Sequence, residues 1–127
     1  RALTLDARAC DGGNALASAA ALAVLEALAD EDLVARAARL GDALSSMLRG
    51  LAEKHPTVVE GERGRGLLRA LVLRPGNESR TLLDRTRERG VLFTIAGERA
   101  LRFTPPLIVT EAQLAEAVDV VSQALRA

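Results

Sequence analysis

The chain has a single cysteine, Cys10, so no intrachain disulfide can form. That usage suits a reducing compartment, and the expectation is a cytoplasmic protein. There is also no excess of charge of either sign. Seventeen basic residues balance 17 acidic ones, which removes the electrostatic reason to expect nucleic acid or an anionic membrane as a partner. Long apolar runs are missing too. The longest, Ala19 to Leu25, is far below the roughly 20 residues of a membrane span. The chain opens Arg1-Ala2-Leu3, with neither Met nor a basic-then-apolar signal region. That opening leads us to expect a piece of something longer.

The chemistry-bearing residues are equally sparse. There is one His, one Cys and one Lys, and three or four ligands of the right type are needed for a metal site. His55, in Lys54-His55-Pro56, is expected as a solvated cap at a helix end. A Schiff-base lysine is normally desolvated, and Lys54 stands where an exposed charge is expected. Gly61-Glu62-Arg63-Gly64-Arg65-Gly66 does not have the dinucleotide-binding spacing, and it precedes a strand instead of opening a helix. Arg63 and Arg65 could clamp an anion, but the plain reading is a pair of solvated turn charges. Cys10 lacks an identifiable base partner, so it reads as a small structural residue.

What remains is an ordinary globular composition of 49% hydrophobic and 27% charged residues. At 127 residues the chain fits one domain, residues 1–127, able to bury roughly 65–70% of its unfolded surface. After Gly12-Gly13, Asn14 is a good N-cap for an Ala-rich helix over about 15–29. That helix is apolar nearly all round and is expected to be buried on several sides. Acids at 30–32 favour a second helix start. Leu33, Ala37, Leu40, Leu44, Met47, Leu48 and Leu51 then follow helical spacing for about six turns, up to Pro56.

Val58 to Glu60 reads as a short strand, 61–66 as a glycine bend, and Leu67 to Leu73 as a strand broken by Arg69. Ser79 to Arg89 reads as a helix ended by Gly90. Val91 to Ile95 and Ala100 to Phe103 read as a hairpin that Pro105-Pro106 leaves. Thr110 to Gln113 matches a capping box for the last helix. The fold class is therefore α+β: a small, mainly antiparallel sheet covered by helices.

Five segments, in this order, resemble the class III pyridoxal-phosphate aminotransferases. They are the Gly12-Gly13-Asn14 turn with its Ala-rich helix, Leu51-Ala52-Glu53-Lys54-His55-Pro56, Arg63-Gly64-Arg65-Gly66-Leu67-Leu68, Glu88-Arg89-Gly90-Val91-Leu92, and Leu101-Arg102-Phe103-Thr104-Pro105-Pro106-Leu107-Ile108-Val109-Thr110-Glu111. Within the class the pattern is most similar to acetylornithine or succinyldiaminopimelate aminotransferases, with ornithine and 4-aminobutyrate aminotransferases close. The resemblance covers residues 12–126. It implies the C-terminal small domain of the fold-type I pyridoxal-phosphate enzymes. It also implies a role in transferring an amino group to 2-oxoglutarate, in arginine or lysine biosynthesis.

The resemblance makes Arg102 the residue that binds the substrate carboxylate, a task for which a planar guanidinium fork is suited. It places Cys10 where the family has a Thr that binds the cofactor phosphate across a homodimer interface. A thiol is a weak donor, and Asp11 adds negative charge beside that phosphate. The Schiff-base lysine and the phosphate loop belong to the family's large domain, so the chain alone is expected to bind no pyridoxal phosphate and to be inactive. Its partners are the missing large domain or a homodimer partner, and a small amino-acid substrate. The rival reading is a non-catalytic binding or assembly module derived from the same family. Cys10 and Asp11 favour the rival, and the intact run around Arg102 favours the enzyme.

Overall fold

The computed structural model describes residues 14–126. The chain divides into two compact units between Val34 and Ala35. In the first, α1 spans Ala15–Asp30, and Asn14 caps it by accepting hydrogen bonds from Leu16 N (2.9 Å) and Ala17 N (3.3 Å). No residue of α1 is buried, contrary to the expectation raised by its apolar composition. An alanine-rich sequence forms a helix from backbone propensity alone, with or without a surface to cover it. The acids at 30–32 stand directly before the next helix, as expected. Asp32 takes a positive φ of 48° in the turn, a conformation its short polar side chain tolerates, and α2 runs Leu33–Lys54.

In the second unit, the strands β1 (Val59–Arg65), β2 (Leu68–Leu73), β3 (Thr94–Ile95) and β4 (Ala100–Phe103) make one antiparallel sheet in the order β1-β2-β4-β3. Helix α3 (Ser79–Glu88) precedes β3, and α4 (Glu111–Arg126) follows β4. Leu44, Leu48 and Leu51 of α2 and Leu114 and Val121 of α4 form one core with Leu71 and Leu73 of β2 and Leu101 and Phe103 of β4. The capping box at α4 is present in both directions: Thr110 N donates to Gln113 Oε1 (2.9 Å) and Gln113 N donates to Thr110 Oγ1 (3.2 Å). Among the described residues, no helix is long and apolar enough to cross a membrane.

Three elements differ from their expected form. The glycine run is strand, not bend. β1 continues to Arg65, and the turn is the two residues Gly66-Leu67, with Gly66 at φ 52°. Two-residue hairpins favour a positive φ at the first loop position, which glycine supplies without strain. Arg69 does not break β2, because it is paired on its buried side, as described below. Finally, β3 is two residues long instead of five. Continuing the Thr94↔Arg102 register would set Leu92 and Val91 against Thr104 and Pro105, where the Pro105-Pro106 pair has no N–H to offer.

The β1–β2 turn lies hard against α2. A Cβ at Gly41 would overlap the Gly66 backbone, so only glycine permits this approach. Replacing glycine by alanine inside an ordinary helix stabilises it by about 1 kcal/mol. At Gly41 the sign should reverse, and Gly41→Ala should destabilise the chain by about 1–3 kcal/mol through forced separation of helix and turn. Denaturant unfolding of the two proteins measures the difference, and a gain in stability would contradict the contact.

Candidate functional site

The pleat sorts the sheet into two chemically distinct faces. Glu62, Leu71, Leu101 and Ile95 form one cross-strand row, and Leu71 and Leu101 in it are fully buried against the helices. The neighbouring row, one residue along each strand, is Arg63, Ala70, Arg102 and Thr94. Successive side chains point to opposite faces, so this row lies on the side away from the helices. Arg63, Arg102 and Thr94 are exposed there.

The helix-facing side carries an ionic cluster that sequence reading missed. Arg69 donates from Nη1 to Glu62 Oε2 (3.0 Å) and from Nε to the Gly66 carbonyl (3.2 Å). Glu62 Oε1 accepts from Ser45 Oγ (2.7 Å) and from Arg49 Nε (3.3 Å). The Glu62 and Arg69 side chains are only 8% and 10% exposed. Burial pushes the Glu62 carboxyl up, but hydrogen bonds from Ser45, Arg69 and Arg49, with the Arg69 charge, outweigh it and hold the carboxyl below its ordinary value of 4.5. An isolated arginine in an apolar strand read as an interruption because its partner comes from β1. The available signal was the Glu62–Arg69 separation across a glycine turn, which a hairpin sets diagonally opposite on one face, Glu62 beside Leu71 and Arg69 beside Gly64.

Arg102 sits at the centre of the opposite face. Its strand is paired on both sides, with β2 and with β3. The adjacent Phe103 packs edge-on against Phe93, with ring centroids 4.7 Å apart. The following loop is tied down from α2, where Arg36 Nη2 donates to the carbonyls of Val109 (2.9 Å) and Ile108 (3.4 Å). The backbone under Arg102 is thus fixed, while its guanidinium makes no hydrogen bond or ion pair with any described residue. Arg63 is in the same condition. Both groups can accept an outside anion without surrendering an existing partner.

The other sequence candidates are placed as follows. Cys10 and Asp11 lie outside the described residues. Lys54 is exposed at the end of α2. His55 is not the solvated cap expected of it: the residue is half-buried, and its Nε2 is buried with no hydrogen-bond partner. The chain after α2 folds back over it, with Val58 N and Val59 N both donating to the His55 carbonyl (3.1 and 2.9 Å).

This arrangement coincides with a known family. Residues 10–125 match the family described as Aminotransferase class-III. The chain belongs to the class-III aminotransferases. Curated members similar to this aminotransferase chain include the acetylornithine aminotransferase of Synechocystis sp., 38% identical over 116 residues, which cover 90% of this chain and 27% of that one. The acetylornithine aminotransferase of Mycolicibacterium smegmatis is 43% identical over 103 residues, covering 81% and 25%. The mitochondrial ornithine aminotransferase of Oryza sativa is 38% identical over 120 residues, covering 90% and 25%. The chain spans about a quarter of the length of these relatives. Among solved structures, acetylornithine aminotransferase from Elizabethkingia anophelis superposes with a TM-score of 0.83 at 34% identity, covering 91% of this chain and 29% of that one.

Class-III aminotransferases use pyridoxal phosphate. The described residues do not fit that group. The only lysine of the chain, Lys54, is an exposed helix-end residue and not part of an enclosed site. What the described residues do present is a rigid strand with a free guanidinium, suited to holding a carboxylate.

The ionic cluster should behave as a unit. Breaking the buried pair from one side, by Glu62→Leu or Arg69→Met, should cost about 3 kcal/mol, whereas the double variant should cost much less than the two together. Because folding lowers the Glu62 pKa, its stabilisation is complete above about 4.5 and is lost as pH falls through the folded value. The stability gap between wild type and Glu62→Gln should therefore shrink on acidification below that point. Urea titrations across pH read both effects, and additive single costs with a pH-independent gap would refute the pairing.

Proposed function

We propose that residues 1–127 act as the C-terminal, substrate-side domain of an acetylornithine-type aminotransferase. In that role the complete enzyme transfers an amino group from a basic, acylated amino acid to 2-oxoglutarate, as a step of arginine or lysine biosynthesis in the cytoplasm. The rest of the enzyme, or a homodimer partner, holds the pyridoxal phosphate. This chain supplies Arg102 to bind and orient the substrate carboxylate. The observation that carries the reading is Arg102 itself: an exposed guanidinium, without a partner among the described residues, on a strand paired on both sides.

Arg102 suits this task for a physical reason. A guanidinium presents a planar fork to a carboxylate, and a fork is useful only if its base is held still. The paired strand and the tethered loop after it hold the base. Because no partner among the described residues competes, substrate meets a guanidinium with no internal bond to break. The chain is inactive alone in this reading, since it orients the substrate but does not bind the cofactor.

Cys10 and Asp11 favour a second reading, a non-catalytic binding or assembly module. A weak thiol donor and an added negative charge would serve poorly at the position where the family contacts a cofactor phosphate.

Kinetics of Arg102 variants in the complete enzyme separate the two. Arg102→Ala should lower kcat/KM by about 30- to 1000-fold, the loss of a charge-assisted bidentate contact. Arg102→Lys, which keeps the charge without the fork, should also fall. Melting temperatures should barely move, because an exposed arginine adds little to stability. Unchanged kinetics would leave the module reading, and a collapsed melting temperature would make Arg102 structural.

A further inference from the structure

We infer that Arg36 is a positioning residue for Arg102: its guanidinium holds the β4–α4 loop, and through that loop the end of β4 that carries Arg102. The inference rests on the reading of Arg102 as the residue that binds the substrate carboxylate. It gives a functional task to a charge on α2 that nothing in the sequence links to Arg102.

The end of β4 has little of its own to hold it. Pairing with β3 stops at Thr94↔Arg102, and pairing with β2 stops at Arg69↔Phe103. Pro105 and Pro106 have no N–H with which to extend the ladder. Packing does not clamp the loop either. Of residues 104–110 only Val109 is buried. Phe103, Thr104, Pro105, Pro106 and Val109 line a hollow of about 220 Å³, so the loop stands over open space.

Arg36 supplies the missing hold. Its Nη2 donates to the Val109 carbonyl at 2.9 Å and to the Ile108 carbonyl at 3.4 Å, joining the start of α2 to the loop. The hold reaches β4 through a stiff segment. Proline fixes its own φ and favours extended backbone in the residue before it, so Thr104, Pro105 and Pro106 are all restricted. Val109 N donates to the Pro106 carbonyl at 3.0 Å, which closes the turn between this segment and the carbonyls that Arg36 holds. A shift at Ile108 or Val109 is therefore passed on to Phe103 and Arg102.

An arginine at this place is also a poor choice for stability alone. Its Nε is buried without a hydrogen-bond partner among the described residues. A buried donor left unmet costs stability, and an apolar side chain would avoid that cost. What an apolar side chain could not do is bond the two carbonyls. The loss of the tether should therefore show in substrate handling more than in folding.

A double-variant cycle in the complete enzyme tests the inference, with kcat/KM for acetylornithine as the readout. Arg36→Met should lower kcat/KM by about ten- to fiftyfold, the effect of a displaced substrate-orienting group. Arg36→Lys, which keeps a donor for the same carbonyls, should recover most of that loss. In an Arg102→Ala background, Arg36→Met should change kcat/KM by less than about twofold, because nothing is left to position. Arg74→Met is the control. Arg74 Nε donates to the Pro56 carbonyl at 2.7 Å, a tether of the same kind that does not touch the β4–α4 loop. Its loss should leave kcat/KM within about twofold. Should Arg36→Met fail to fold, Arg36→Gln, which is polar but lacks the guanidinium, carries the same comparison. The same fold-loss from Arg36→Met with and without Arg102, or an equal loss from Arg74→Met, would overturn the inference and make Arg36 a structural residue. If Arg102→Ala is costly while Arg36→Met is harmless, the Arg36 inference falls and the carboxylate role of Arg102 stands. If Arg102→Ala is itself harmless, that role falls, and Arg36 has nothing to position.

Discussion

The buried Glu62–Arg69 pair is the constraint on which the arrangement of this sheet depends. A guanidinium only 10% exposed on the helix-facing side of a sheet is tolerable only with its charge met and its donors satisfied. Glu62 meets the charge, and the Gly66 carbonyl takes another donor. The pair therefore ties β1 to β2 in one register, and Ser45 and Arg49 tie both to α2. Side chains alternate strictly along a strand, so the register that puts Glu62 and Arg69 inside also puts Arg63 and Ala70 outside. A slip of one residue would bring Arg63 against the core and reverse the chemistry of both faces.

Electrostatics and packing thus divide the labour between the two faces. The inner face is closed: its one buried arginine is fully engaged. The outer face is open: Arg63 and Arg102 hold no partner among the described residues, on strands that cannot shift easily. Preorganised, unpaired donors bind an anion with little reorganisation, which is what a substrate-orienting surface needs. The role proposed for Arg102 is compatible with this geometry. The role itself comes from the resemblance along the chain, and the strand geometry adds that Arg102 is exposed on a strand paired on both sides.

Helix boundaries were largely readable in advance, because their signals are local. Asn14 caps α1, Leu33 to Leu51 repeat at helical spacing, and Thr110 with Gln113 closes the start of α4 through bonds spanning three residues. The β4 strand and the Arg102 position were legible for the same reason, since the flanking prolines mark where the strand must stop. The glycine run was misread because glycine signals a turn in a single sequence. Its place in β1 comes from pairing with β2, and Gly64 is needed for the close approach of Leu68 and Arg69. His55 was misread in the same way: a local motif at a helix end gives no hint that the ring's Nε2 is buried.

By itself, then, the sequence determined the helices, their caps, the α+β class and the family, since each depends on residues close together in the chain or on an ordered series of short segments. Tertiary structure alone decided which arginines are spent and which are free. Arg69, Arg63 and Arg102 look alike as charged residues in or beside strands. They differ only in the face to which pairing assigns them and in the presence of Glu62 across the hairpin. That assignment is a property of register, and register is set by contacts between residues far apart in the chain.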